Sequence, residues 1–202
     1  LKSRTDLINY AKKHNIEIPK DKKGAPPFSI DDNLFHTSTE GKVLENPKNY
    51  APEFIFQRTT SPEKAPNRPT FVTINFKNSD PFGINGKKLS PYKLLEKLNT
   101  VAGKNGIGRI DLVENRFIGI KSRGVYETPG GSLLIHAHRA MESVTLDKDT
   151  MHKKDAAMPR YAELIYNGYW FSKERFKLQK IIDLKKSKVN RAVKLKLYKG
   201  NI

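Results

Sequence analysis

Hydrophobic spacing along this chain switches between two and 3.6 residues, without a regular strand–helix–strand alternation. In "TFVTINF", Val72, Ile74 and Phe76 alternate with other residues and predict a strand. "NSDPFGING" follows as a turn and predicts a hairpin. From Ser90 the period lengthens. Leu94, Leu95, Leu98, Val101 and Ala102 form one helical stripe, with Ser90 as N-cap, Pro91 just inside and Gly103 as the stop. "RIDLV" and "RFIGI" then read as two short strands. Thr128 and Pro129 open a further helix whose apolar face is Leu133, Leu134, Ala137, Met141 and Val144. A parallel sheet would demand a regular βαβ rhythm. Its absence predicts an α+β domain with a mixed, largely antiparallel sheet packed with helices.

The flanks complete the pattern. Thr5 to His14 predicts a short helix, with Leu7, Ile8 and Ala11 at helical spacing. "IEIPKDKKGAPPF" breaks it and places a boundary near residues 16–28. Ser29 to Asn46 reads as irregular and polar, and "PEKAPNRP" as a second connector. Helices are expected over Pro159–Tyr169 and Lys173–Lys185, the latter with Leu178, Ile181 and Ile182 facing inward. In "RAVKLKLYK", Val193, Leu195 and Leu197 alternate with Lys194 and Lys196, a half-buried strand whose outer lysines discourage edge pairing.

Charge bears on function. The formal net charge is +17 over 202 residues, which makes a basic nucleic-acid-binding module one reading. Against it, most cations are lysines at positions where secondary structure wants polar residues, and bidentate reading of bases or phosphates favours arginine. No RNP-like aromatic motif or KH-type clamp is present, so no specific nucleic-acid partner is expected. No apolar run approaches the roughly 20 residues that span a bilayer, and no membrane association is expected. There is no cysteine, so disulfides and thiolate metal sites are excluded, which fits a cytoplasmic location.

Metal and phosphate chemistry find little support. His136 and His138 are two apart on a predicted helix and point about 200° apart. His138 and Glu142 share a face but lack a third ligand, so no metal is expected. "GKNGIG" at Gly103–Gly108 follows a helix instead of opening one. A helix C-terminus carries the wrong end of the dipole for phosphate, so it reads as a cap and turn.

Two regions resist so simple an account. One is "FSIDDNLFHTSTEGKVLENP". The other, "VENRFIGIKSRGVYETPGG", packs two glutamates, three cations, a tyrosine and four glycines into Val113–Gly131. Glycines let backbones approach, and the polar groups then need partners. Two readings stand: polar loops that support the fold, or a pocket for a small zwitterion. A purely structural oligomerisation domain is a third reading of the chain as a whole.

"DDNLFHTSTEGKVLENP", "AGKNGIGRIDLVENRFIGIKSRGVYETPGGSLL", "AELIYNGYWFS" and "KLKLYKGN" together closely resemble the argininosuccinate synthase family, in consistent order from about Thr5 to Asn201. The resemblance implies a ligase that joins citrulline to aspartate in arginine synthesis. ATP, with Mg²⁺, activates the citrulline ureido oxygen as an adenylate and releases pyrophosphate. The aspartate amine then displaces AMP. It also implies a homotetramer.

Family members carry a preceding nucleotide-binding domain with a glycine-rich pyrophosphate loop, which these residues do not contain, and they continue beyond "KLYKGN". Residues 1–16 are therefore expected to be the tail of that domain. Residues 17–202 would be the synthetase domain, which binds citrulline and supports oligomerisation, incomplete at its C-terminus. Carried over position by position, the resemblance implies citrulline contacts at Ser29, Ser38, Glu114 and Tyr126. No cofactor-binding residue is expected in this chain, since ATP belongs mainly to the other domain. Lys121 and Arg123 receive no role.

Overall fold

A computed structural model describes residues 3–18 and 28–202, and within it two four-stranded antiparallel sheets are packed with five helices. The α+β expectation holds. The proposed boundary near residues 16–28 lies mostly outside the described residues.

The larger core is built on the second sheet. Its strands β3 (Thr70–Lys77), β4 (Asp80–Ile84), β5 (Lys87–Lys88) and β8 (Arg191–Leu197) run in the order β5-β4-β3-β8. Val72, Ile74 and Phe76 of β3 point inward as their spacing predicts, and they meet Leu195 and Leu197 of β8. Lys194 and Lys196 are exposed on this edge strand. The hairpin turns at Asn78–Ser79, with both φ angles positive, the geometry that two-residue connections between twisted strands favour. A second turn of the same kind, at Asn85–Gly86, leads into β5.

Helix α2 (Pro91–Lys104) begins as expected, with the Ser90 hydroxyl accepting from the Lys93 N–H. Its stop is different. Gly103 lies inside the helix, and a Cβ there would come within 2.1 Å of the Arg58 carbonyl oxygen. The glycine allows close approach of two chain segments. Asn105 and Gly106, the latter at φ +75°, form the cap and turn. Helix α3 (Pro129–Thr145) packs against α2 and β8. Thr128 occupies its N-cap position, but its side chain caps nothing. Asn99 Oδ1 accepts the Gly130 N–H instead, at 2.9 Å. Leu133, Ala137 and Met141 are buried, whereas Val144 is 84% exposed. The last turn of α3 buries Glu142, held 2.6 Å from Lys154 of α4 (Lys148–Tyr166).

Helix α4 starts eleven residues before the expected Pro159, because Asp147 caps it by accepting from the Thr150 N–H. Pro159 lies in its interior. The helix ends at Tyr166, so Tyr169 falls outside it. Helix α5 (Lys173–Ile182) begins as predicted and packs on α4, but it ends before Lys185. Leu178, Ile181 and Ile182 are only half-buried. The buried side chain is Arg175, whose guanidinium stacks on Trp170 and Phe176 and donates to the Trp170 carbonyl. Near the start, α1 (Arg4–Lys13) is capped by Ser3, which exchanges hydrogen bonds with Asp6.

The other sheet has the order β1-β2-β7-β6. Strands β1 (Ser29–Asp32) and β2 (Thr37–Glu40) form a hairpin where the sequence reads as irregular. Asn33 Oδ1 shapes the turn by accepting from the N–H groups of Phe35 and His36. Thr37, Ser38 and Thr39 are all buried, so neither strand face carries a hydrophobic signal. Strand β6 (Arg109–Asn115) extends "RIDLV" by two residues. β7 is Lys121–Glu127 and not "RFIGI", which forms the turn between them. Phe117 and Ile118 stand 67% and 75% exposed at that tip. Val125, Leu44 and Ile55 make a second, small core under one face of this sheet.

Candidate functional site

Directly paired residues of antiparallel strands share a sheet face. Reading the register across the sheet, Ser29 pairs Glu40, Glu40 pairs Gly124, and Gly124 pairs Leu112. One row along, Asp31 pairs Ser38, Ser38 pairs Tyr126, and Tyr126 pairs Ile110. Ser122 pairs Glu114 in the next row. Ser29, Ser38, Glu114 and Tyr126 therefore lie on one face, opposite the Val125–Leu44–Ile55 core. Ser38 and Tyr126 are direct neighbours, and Ser29 is diagonal to Ser38. Among the described residues, neither serine hydroxyl has a hydrogen-bond partner.

Glu114 is the centre of the hydrogen bonding. Tyr126 and Glu114 sit two rows apart along the strands, and the Tyr126 ring spans that gap by lying over Gly124. A Cβ on Gly124 would come within 2.6 Å of the Tyr126 hydroxyl oxygen. The hydroxyl donates to Glu114 Oε2 at 2.8 Å. From the end of α4, the Tyr166 hydroxyl donates to Glu114 Oε1 at 3.0 Å. Arg116, the first residue after β6, donates to Glu40 Oε2 and Ser122 Oγ, with its Nε 3.7 Å from Glu114 Oε1. Burial, then the bond to Glu114, pushes the Tyr126 phenol well above its usual value, and the same causes raise Tyr166. Both phenols are thus neutral donors at neutral pH, and they orient the carboxylate without cancelling its charge. The face carries Glu40 and Glu114 against Arg116, with the His36 ring tilted against that of Tyr126, their centroids 6.5 Å apart. Such a surface can hold a small cation-bearing ligand with further hydrogen-bonding groups.

The opposite face explains the rest of Val113–Gly131. Glu127, 2% exposed, accepts from the N–H groups of Gln57, Arg58 and Thr59 and from the Thr59 hydroxyl. Arg109 donates to the same hydroxyl, pairs bidentately with Glu53 at 2.8 Å and lies over the Phe56 ring. Arg123 also points this way. It pairs with Asp111 and donates to the carbonyls of Leu44, Asn46 and Asn49, so it staples a covering segment to the sheet. Lys121 is exposed at the strand end, opposite Asn115.

Glu40, Arg116, Ser122 and Tyr166 belong to the arrangement and were not singled out by sequence. A period-two reading of β2 and β7 would have reached Glu40 and Ser122. Nothing local points to Tyr166, 52 residues from its partner. A groove of about 630 Å³ lies elsewhere, between α3, α4 and the β3–β4 turn. Its lining includes none of Ser29, Ser38, Glu114 and Tyr126. His138 and Glu142 border that groove 3.6 Å apart, and Glu142 is already held by Lys154. Among the described residues, no group of three or more potential metal-ligating side chains occurs, and no helix is long and apolar enough to cross a membrane.

A family model described as the arginosuccinate synthase C-terminal domain matches residues 28–202. An argininosuccinate synthase of Pelagibacter ubique is 82% identical over the whole chain, which covers 51% of that relative. Those of Mesorhizobium japonicum and Caulobacter vibrioides are 61% and 58% identical, with 49% of each covered. The chain thus spans about half the length of the curated relatives it matches, and with a family match over most of its residues and such identity throughout, it belongs to the argininosuccinate synthase family.

Proposed function

We propose that this chain supplies the citrulline contacts of a carbon–nitrogen ligase that makes argininosuccinate from citrulline and aspartate, in the cytoplasm, for arginine synthesis. The observation that carries this reading is the gathering of Ser29, Ser38, Tyr126 and Glu114 on one sheet face, with Glu114 held by a phenol on each oxygen. Citrulline bears an ammonium, a carboxylate and a ureido group. Glu114 takes a cationic or polarised N–H, while the serine hydroxyls and Tyr126 complete the polar contacts. The residues act by positioning, so that the ureido oxygen is presented for activation.

The reaction itself joins that oxygen to AMP with release of pyrophosphate. The aspartate amine then displaces AMP. ATP and most aspartate contacts belong, in this reading, to the nucleotide-binding half of the full-length protein, with residues 1–16 as its tail and 17–202 as the synthetase domain. Mg²⁺ accompanies ATP there. The described residues of this chain do not fit a Mg²⁺ site, since they bring no three potential ligand side chains together. The full-length protein is a homotetramer in this reading.

The test uses the chain joined to the N-terminal half of the Pelagibacter ubique relative. Glu114→Gln keeps the shape and removes the charge. A hydrogen bond to a charged group is worth roughly 1.5–3 kcal/mol, so the citrulline KM should rise by about one to two orders of magnitude. The KM for ATP should hold. An unchanged citrulline KM with a lowered Tm would leave Glu114 as a structural acid paired with Arg116.

A further inference from the structure

We propose that Tyr166 is a positioning residue for citrulline binding, acting through Glu114 from the C-terminal end of α4. The inference rests on the proposed role of Glu114 and goes beyond it, since α4 contributes none of the contacts already assigned.

The Glu114 carboxylate is held by two donors of different origin. Tyr126 belongs to the same sheet and reaches Oε2 across Gly124. Tyr166 comes from another element and takes Oε1. The cation nearest in sequence, Arg116, donates through Nη2 to Glu40 and Ser122, and its Nε stays 3.7 Å from Glu114 Oε1, outside hydrogen-bond distance. Had a guanidinium filled the place of Tyr166, it would have neutralised the carboxylate that a ligand cation needs. A phenol fixes the rotamer and leaves the charge in place. Without Tyr166, Glu114 Oε1 loses its one hydrogen-bond donor among the described residues, and Arg116 is the group best placed to capture it.

The placement of Tyr166 supports a role beyond local stability. It is the last residue of α4, followed by Asn167 and by Gly168 at φ +81°, which turns the chain back. Tyr169 then meets Phe117 of the β6–β7 turn edge-on, with ring centroids 6.5 Å apart. The end of α4 and the segment after it therefore reach Glu114 and the turn that follows it, through one polar and one aromatic contact. Packing belongs to the aromatic contact. The phenol of Tyr166, itself about half exposed, adds orientation of the carboxylate.

The experiment is a double-mutant cycle in the full-length fusion, with Tyr166→Phe, Glu114→Gln and the pair. Tyr166→Phe should raise the citrulline KM about three- to tenfold, the range for one modest hydrogen bond. It should leave the KM for ATP and the Tm near the parent's. In the Glu114→Gln background, the same change should cost less than twofold, because the carboxylate it orients is gone. An unchanged citrulline KM in Tyr166→Phe overturns the proposal. So does an equal effect in both backgrounds, or a lowered Tm with the KM unmoved. If Glu114→Gln alone leaves the citrulline KM untouched, the reading of the site fails first, and the cycle separates that failure from this one.

Discussion

Two glutamates thirteen residues apart on paired strands have opposite jobs. Glu127 turns inward and collects three backbone N–H groups and a hydroxyl, a full set of donors for a buried carboxylate. Glu114 turns to the other face, where two phenols donate to its oxygens and the Arg116 Nε stands 3.7 Å away. The same substitution should therefore read out differently at each. Glu127→Gln offers an amide NH₂ to groups that already donate, and should cost about 2–3 kcal/mol. For a chain of this length, that lowers Tm by roughly 5–10 °C. The citrulline KM of the folded enzyme should barely change. Melting curves and kinetics on the two variants check the split, and a KM effect from Glu127→Gln as large as that from Glu114→Gln would deny it.

Among the elements, β7 organises both faces. Its even-numbered residues Ser122, Gly124 and Tyr126 share the face of the proposed site. Its odd-numbered Arg123, Val125 and Glu127 hold the covering segment and the small core. Arg123 depends on Asp111 of the neighbouring strand, and that pairing holds the Asp111 carboxyl below its ordinary 3.8. The unfolded chain then binds the proton more readily than the folded one. The stabilisation is present above about pH 4 and is lost as pH falls through the lowered folded value. Urea midpoints of the parent should thus decline from pH 4 towards pH 2, and Asp111→Asn should decline less steeply from a lower starting point. Parallel slopes for the two proteins would show that this pair carries no acid sensitivity.

At the scale of the whole molecule, Phe117 and Ile118 on the β6–β7 turn and Phe171 after α4 stand exposed. Apolar side chains in such positions mark contact surfaces. The isolated chain should bind hydrophobic dyes and associate in solution, and calorimetry with ATP and Mg²⁺ should show no saturable micromolar binding and assays no ligase activity. A monodisperse, cooperatively melting monomer, or a measurable ATP site, would contradict this division of labour. The lysines of β8 lie exposed on an edge strand, where they discourage pairing with another chain.

Spacing alone determined the elements whose one face meets a large core. β3, α2 and β8 were legible because Val72, Ile74, Phe76, Leu94, Leu98, Leu195 and Leu197 all face the same apolar cluster, and burial imposes its period on the sequence. The hairpin β1–β2 left no such trace, since Thr37, Ser38 and Thr39 are buried alike and their hydroxyls carry no contrast. "RFIGI" misled for the converse reason: it is apolar and β-branched, yet it forms a turn, and the ladder continues in the polar "KSRGVYE". The family motif marked Ser29, Ser38, Glu114 and Tyr126 one by one. Only the register of four strands placed them on a common face, and only the packing of α4 brought Tyr166 to Glu114, because a hydrogen bond between residues 52 apart leaves no local pattern in a chain.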